Sequence, residues 1–197
     1  MLTFNTEIIW AAQEAIPVPF DRSYWVIPGK FLAGAYPGDL IPEMAETKVR
    51  SLVDAGIRCF IDLTSPEDRN LFGQSLNSYQ NLLGKMSAGH SKIFYHRLSI
   101  TDLDIPSHSR MEEILDVIDG AIFGEIPVYV HCLGGIGRTG TVVGCWLARH
   151  GIEQGRAVID LIRKLRRNEV HASIASPETA QQRRFICQWN QGGVDLE

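Results

Sequence analysis

Cys132 and Arg138 stand six residues apart, with three glycines between them and a threonine directly after the arginine. The stretch reads Pro127-Val-Tyr-Val-His131-Cys132-Leu133-Gly134-Gly135-Ile136-Gly137-Arg138-Thr139-Gly140. A short β-branched and aromatic run passes into a glycine-rich loop and then into an apolar helix. Such a loop holds an anion: its glycines let successive N–H groups turn inward as a nest, and the helix that begins near Arg138 adds its positive end. Arg138 is planar, always charged and able to donate two parallel hydrogen bonds, which suits the equatorial oxygens of a phosphoryl group in transfer. Cys132 at the loop's floor is a nucleophile only as a thiolate, a form favoured by loop N–H groups, by Arg138 and by a hydroxyl donated from Thr139. His131 is expected to brace the loop from beneath. The chemistry these residues define is attack of sulfur on phosphorus, through a covalent intermediate.

A bare C-x5-R arises by chance in roughly one in seven chains of this size. Requiring also the preceding His, the Gly before Arg138 and the hydroxyl residue after it lowers this to roughly one in 30,000. The combination carries the reading, and the bland alternative of a buried cysteine before a glycine turn leaves His131, Arg138 and the glycines unexplained.

The elements that position the loop follow from pattern. Apolar β-branched or aromatic runs at 31–33, 57–63, 93–98 and 127–131 are bounded by Gly, Pro or polar turns and read as strands. Helical spacing appears in Ala45, Val49, Leu52 and Val53, closed by Gly56, and in Met111, Ile114, Leu115, Ile118 and Ile122. Three further helices are expected at 138–150, 153–167 and 177–190, the last capped by Ser176 with Pro177 at its first position. The fold class is α/β: a central, mostly parallel sheet flanked by helices, with a helical C-terminal third. Residues 1–197 read as a single phosphatase domain, with 1–24 a loose arm and 25–197 the catalytic core, and 64–90 read as a polar, Gly/Ser-rich loop.

With these elements in place, His131-Cys132-x5-Arg138-Thr139-Gly140 resembles the signature of the protein tyrosine phosphatase superfamily in its small single-domain, dual-specificity-like form. The whole chain fits that pattern; residues 26–34 resemble the opening strand of such domains and 56–63 the next sheet strand. The resemblance implies a general acid on a loop before the signature, an Asp commonly followed by a Pro. In Asp102-Leu103-Asp104-Ile105-Pro106 the spacing points to Asp102, with Asp104 its rival. It also implies a water-orienting glutamine near the end of the chain. Gln182 falls in an inward stripe with Phe185, Ile186 and Trp189 and is the candidate, with Gln181 a weaker one and a purely structural amide the alternative.

Other features are quieter. Arg163, Lys164, Arg166 and Arg167 form a charge run expected to be a solvated face. Cys59 and Cys145 are expected in core elements, with redox pairing to Cys132 the less favoured reading. His90, His96 and His108 lack ligand spacing, so no metal is inferred, and the two-step mechanism needs no organic cofactor. A net charge of −4 argues against general affinity for nucleic acid. No apolar run approaches the roughly 20 residues of a membrane span, and scattered cysteines point to a reducing, cytoplasmic compartment. The expected partner is a phosphorylated protein or a small phosphomonoester. Phosphotyrosine leads because the loop interior, 133–137, lacks the lysines that polyphosphorylated inositides favour. Inositol phosphates, phosphoinositides, RNA 5′-phosphates and phosphosugars remain open, as do a catalytically silent phosphate-binding module and a thiol redox protein.

Overall fold

The computed structural model describes residues 16–87 and 92–189. Five strands form one sheet: β1 (Ser23–Ile27), β2 (Phe31–Gly34), β3 (Cys59–Asp62), β4 (Phe94–Arg97) and β5 (Val128–His131). Among the described residues there are six helices, α1 (Pro42–Asp54), α2 (Gln80–Ser87), α3 (His108–Phe123), α4 (Gly137–Arg149), α5 (Arg156–Leu165) and α6 (Ala180–Gln188). The strand order is β1-β2-β5-β3-β4, with β1 antiparallel to β2 and every other pairing parallel.

Side chains alternate across the strands and so feed two apolar layers. Phe31, Ala33, Cys59, Ile61, Val128 and Val130 pack with Ile114 of α3, Val142 and Trp146 of α4, Ile162 of α5 and Ile186 of α6. Leu32, Phe60 and Tyr129 pack on the opposite side with Val49 and Leu52 of α1 and Leu83 of α2. Because four strands are parallel, their C-terminal ends share one edge of the sheet, where open α/β sheets place their ligands.

Several boundaries differ from expectation. Residues 26–34 form a hairpin instead of one strand: β1 ends at Ile27, the chain turns through Gly29 at φ +71°, and β2 returns. The ordered core starts at Ser23, two residues inside the expected arm, while residues 1–15 of that arm lie outside the described residues. The 64–90 segment contains α2, which buries Leu83 and was hidden by its polar composition. His90 lies outside the described residues.

The last helix begins at Ala180, not 177. Thr179 caps it in a capping box, with its hydroxyl accepting from Gln182 N–H and the Gln182 side chain accepting from Thr179 N–H. Ser176 instead donates its hydroxyl to the Ile136 carbonyl at 2.7 Å, which ties the approach to α6 to the glycine loop. α5 is shorter than its expected span, and the charge run across its C-terminal end is not uniformly solvated. Arg166 is 1% exposed and donates to Glu169 at 2.6 Å and to the carbonyl oxygens of His171 and Ile174.

Candidate active site

The loop from Cys132 to Arg138 leaves β5 at the shared C-terminal edge and runs into α4, which is buried from Gly137 to Ala148. Among its three glycines only Gly135 has positive φ, +73°, and a Cβ there would stand 2.5–2.8 Å from the backbone of Gly34 and Ala35. Gly135 therefore permits both the turn and the close approach to β2. Gly134 and Gly137 do not have positive φ; a Cβ at Gly137 would meet the amide of Gln182 and the carboxylate of Glu178 at 3.2 Å. Among the described residues, no protein acceptor pairs with the N–H groups of Leu133, Gly134, Gly135 or Ile136, which leaves four donors on the loop that holds Cys132. Arg22, from the segment expected to be a loose arm, donates through Nη2 to the Gly134 carbonyl at 3.0 Å and ties the loop from outside.

Cys132 is 3% exposed. Its N–H donates to Thr139 Oγ1 at 2.8 Å, and the Thr139 hydroxyl points on to the Gly34 carbonyl at 3.4 Å. Thr139 is expected to donate to the sulfur; in this structure its oxygen accepts from the Cys132 N–H, which fixes the backbone of Cys132, and its hydroxyl lies within reach of the Gly34 carbonyl.

His131 is fully buried on the other face of the sheet, stacked on Tyr129 and edge-on to Tyr36 and Tyr79. Burial holds its pKa below the usual imidazole value, so the ring is neutral near pH 7. Nδ1 lies 3.3 Å from the Cys132 carbonyl, which can only accept, so Nδ1 carries the proton. Nε2 then accepts from the Tyr79 hydroxyl at 2.6 Å. Asp62, also fully buried, accepts from Thr64 N–H and hydroxyl through Oδ1 and from Tyr95 and Arg97 through Oδ2. Burial works against its charge, but the hydrogen bonds from Thr64 and Tyr95, together with the attraction His131 exerts whenever its ring is protonated, hold the carboxyl below the ordinary range.

Arg138 is 2% exposed, and its guanidinium is met by groups from the ends of two more strands. Nη1 donates to the Ile100 carbonyl at 3.0 Å and stands 2.7 Å from Asp68 Oδ2; Nη2 stands 2.8 Å from Asp102 Oδ1. Burial disfavours the charge, yet Cys132, Asp68 and Asp102 together hold the Arg138 pKa above its ordinary value. Asp68 is a residue that sequence reasoning missed. Its only sequence signal is position, in the turn that leaves β3 toward the shared edge.

Asp102 is exposed on the loop after β4, its side chain 58% accessible, and reaches Arg138 from there. Leu103, next to it, adopts φ +62°, a conformation unfavourable for a residue with a branched side chain. Asp104 turns its Oδ1 to the N–H of Ile105 at 2.8 Å and is not brought to Arg138. Gln182 is fully buried, with Oε1 accepting from Thr179 N–H and Nε2 donating to the Asp104 carbonyl at 3.1 Å. Its amide thus links the aspartate loop to α6 beside Gly137. No cluster of three or more His, Cys, Asp or Glu suited to a metal ion occurs among the described residues, and none of their helices is long and apolar enough to cross a membrane.

A cysteine and an arginine held in one glycine loop at the C-terminal edge of this sheet define a cysteine phosphatase. Residues 39–152 match the family model described as polymorphic toxin system, DSP-PTPase phosphatase, and the chain belongs to that family. Over 56 residues, 28% of this chain, it is 41% identical to dual specificity protein phosphatase CDC14B of Mus musculus. Over 106 residues, 53% of this chain, it is 28% identical to effector protein hopD2 of Pseudomonas syringae pv. tomato. The matched stretches span only 11% and 21% of those two proteins. Among solved structures, kinase associated phosphatase superposes with a TM-score of 0.67 at 19% identity, covering 82% of this chain and 85% of that one. PTPMT1 in complex with PI(5)P superposes with a TM-score of 0.61 at 20% identity, covering 85% and 94%. These likenesses establish the fold.

Proposed function

We propose that this protein hydrolyses phosphomonoesters through a phosphocysteine intermediate, with protein phosphotyrosine as the leading substrate and phosphoserine or phosphothreonine as secondary ones. The observation that carries the reading is the meeting of the Cys132 loop, Arg138 and Asp102 at one edge of the sheet. Cys132 attacks phosphorus in line while the loop N–H groups of 133–137 and the guanidinium hold the equatorial oxygens. An arriving phosphoryl group competes with Asp102 for Nη2 of Arg138, which frees the carboxylate to take up a proton from solvent, swing toward the leaving oxygen and hand that proton to it. Water then attacks the phosphocysteine with Asp102 as base. Gln182, with both ends of its amide engaged, acts on this step by holding the Asp102 loop against α6 rather than by gripping water itself. His131 and Thr139 keep the Cys132 carbonyl and N–H in place.

The residues between Cys132 and Arg138 carry no charge, which supports a monophosphate over a polyphosphorylated inositol. The fold shared with PTPMT1, whose structure holds PI(5)P, keeps phosphoinositides as the second reading. The four cysteines are free thiols, consistent with work in a reducing compartment such as the cytoplasm. The test is hydrolysis of phosphotyrosyl peptides beside inositol phosphates and PI(5)P. Cys132→Ser and Arg138→Lys should each abolish turnover while leaving the far-UV circular dichroism unchanged. Substantial turnover by the serine variant would remove the nucleophile assignment, and faster turnover of PI(5)P than of any peptide would remove the substrate assignment.

A further inference from the structure

Beside the glycine loop runs a groove of about 240 Å³, which the steps of phosphate transfer leave unused. Leu133, the residue directly after Cys132, is part of its lining, together with Tyr36, Leu40, Leu71, Phe72 and Leu76. Leu71 is fully exposed and Phe72 is 77% exposed. Two large apolar side chains presented side by side to solvent are an unfavourable arrangement that surfaces normally avoid unless something binds there.

The segment carrying them is built. Asn70 Oδ1 accepts from the N–H groups of Phe72 at 2.9 Å and Gln74 at 3.0 Å, Asn70 N–H donates to the Gln74 carbonyl, and Gly73 takes φ +73°. Arg69 and Ser75 close its base as a bridge pair. One residue before that base is Asp68, the charge partner of Arg138. The apolar tip is therefore held at a fixed place relative to the catalytic guanidinium.

We propose that this groove is the specificity subsite of the enzyme: it takes the apolar side chain of a residue flanking the phosphorylated residue of a peptide substrate, seated on Leu71 and Phe72. The proposal rests on the protein-phosphatase reading above. Continuity with the phosphate site through Leu133 places the groove where a neighbouring residue of a bound phosphopeptide must pass. Its charges leave it open to such a residue. The Lys48 ammonium is neutralised by Asp39 at 2.7 Å, and Arg22 turns one end of its guanidinium away to the Gly134 carbonyl at 3.0 Å. A lipid surface fits less well. α1, which borders the groove through Lys48, exposes Glu43 and Asp54 beside a Glu46–Arg50 ion pair, and the chain's net charge is −4, which disfavours an anionic bilayer.

The experiment compares kcat/KM for phosphotyrosyl peptides bearing Leu, Phe or Gly on each side of the phosphotyrosine, for 4-nitrophenyl phosphate and for PI(5)P in phosphatidylcholine vesicles. It uses the full chain and its Leu71→Ser, Phe72→Ser and Phe72→Leu variants. On one side of the phosphotyrosine, the wild-type protein should prefer Leu or Phe over Gly by about tenfold, the scale of partly burying one apolar side chain. Each serine variant should flatten that ratio toward one, Phe72→Leu should retain it, and turnover of 4-nitrophenyl phosphate, which has no flanking residue, should stay within about twofold. A wild-type protein indifferent to the flanking residue, or a preference that survives both serine variants, overturns the subsite. Vesicle turnover that alone depends on Leu71 and Phe72 assigns the patch to a membrane and overturns it as well. Hydrolysis of 4-nitrophenyl phosphate with no phosphopeptide turned over would instead defeat the protein-phosphatase reading and the subsite with it.

Discussion

Asp68 Oδ2 lies 2.7 Å from Nη1 of Arg138, and the two side chains are 3% and 1% exposed. The approach is off the N–H direction, so this oxygen acts on the guanidinium as a counter-charge and not as an aligned acceptor. Asp68 also accepts from the Ser65 hydroxyl through Oδ1 at 2.9 Å, which fixes the carboxylate in its turn. A guanidinium sealed from water needs such a partner, because removing one member of a buried pair strands the other.

Asp68→Ala should therefore be strongly destabilising. Breaking a buried ion pair costs about 3–5 kcal/mol, and at about 2–4 °C per kcal/mol for a chain of this size the low end lowers Tm by about 6–12 °C. The kcat/KM for 4-nitrophenyl phosphate should fall as well, since Arg138 loses one of the contacts that orient it. Thermal unfolding followed by circular dichroism checks the first effect and steady-state kinetics the second. An unchanged Tm would mean that Asp102 and the Ile100 carbonyl suffice to hold the guanidinium.

The thiols should separate by reactivity. Burial pushes Cys59 up to about 12 and Cys145 well above its ordinary value, so both are inert neutral thiols near pH 6. Cys59 does not protect Cys132 as a disulfide. Cys59 pairs with Val128, four residues before Cys132, about 13 Å along the strand at 3.3 Å per residue, beyond any disulfide span. Iodoacetate at pH 6, read by mass spectrometry, should label Cys132 at least about tenfold faster than Cys59 or Cys145. Equal labelling of the three would remove the case for an activated nucleophile.

What the sequence made legible was whatever local spacing encodes. Cys132, Arg138 and the glycines sit on one strand–loop–helix segment, and Asp102 reached notice through Pro106, four residues on. The capping box Thr179-x-x-Gln182 was equally open to reading, but the Ser176-Pro177 pair looked like a stronger start and masked it. Asp68 and Arg22 were not legible, because they come to the site from segments 70 and 116 residues away from Arg138 and only the order β2-β5-β3-β4 brings those segments together. α2 buries one leucine among eight residues of which four are polar, so its pattern is too weak to stand out from a loop.

Asp102→Asn should lower kcat roughly 10²–10⁴-fold on substrates with poor leaving groups, and Asp104→Asn should not. A general acid matters in proportion to the basicity of the departing oxygen, whereas Asp104 serves its own loop through the N–H of Ile105. Comparing 4-nitrophenyl phosphate with a phosphotyrosyl peptide separates the two: only the Asp102 variant should lose more on the peptide. If the leaving-group dependence follows Asp104→Asn instead, the acid is Asp104 and Cys132 keeps its role.

His131 should make the fold sensitive to mild acid. Its pKa in the folded protein is depressed by burial, whereas in the unfolded chain it titrates near about 6.5. As pH falls below that value the unfolded chain binds a proton that the folded one refuses, so ν_U exceeds ν_N and stability declines with falling pH, by at most about 1.4 kcal/mol per pH unit. The decline continues until the folded pKa is reached. Asp62 does not confuse this window: its folded pKa is also depressed, so its contribution is intact above the unfolded carboxyl range and is lost only at lower pH. His131→Asn removes the titrating ring. The variant should be less stable than wild type at pH 7.5, because the Tyr79 and Cys132 carbonyl contacts are lost or weakened, and the difference in Tm should shrink as pH falls from 6.5 toward 5. A difference that grows over the same interval would mean that His131 is charged in the folded protein and paired with Asp62, 3.9 Å from Nδ1, and the neutral tautomer assigned from its hydrogen bonds would be wrong.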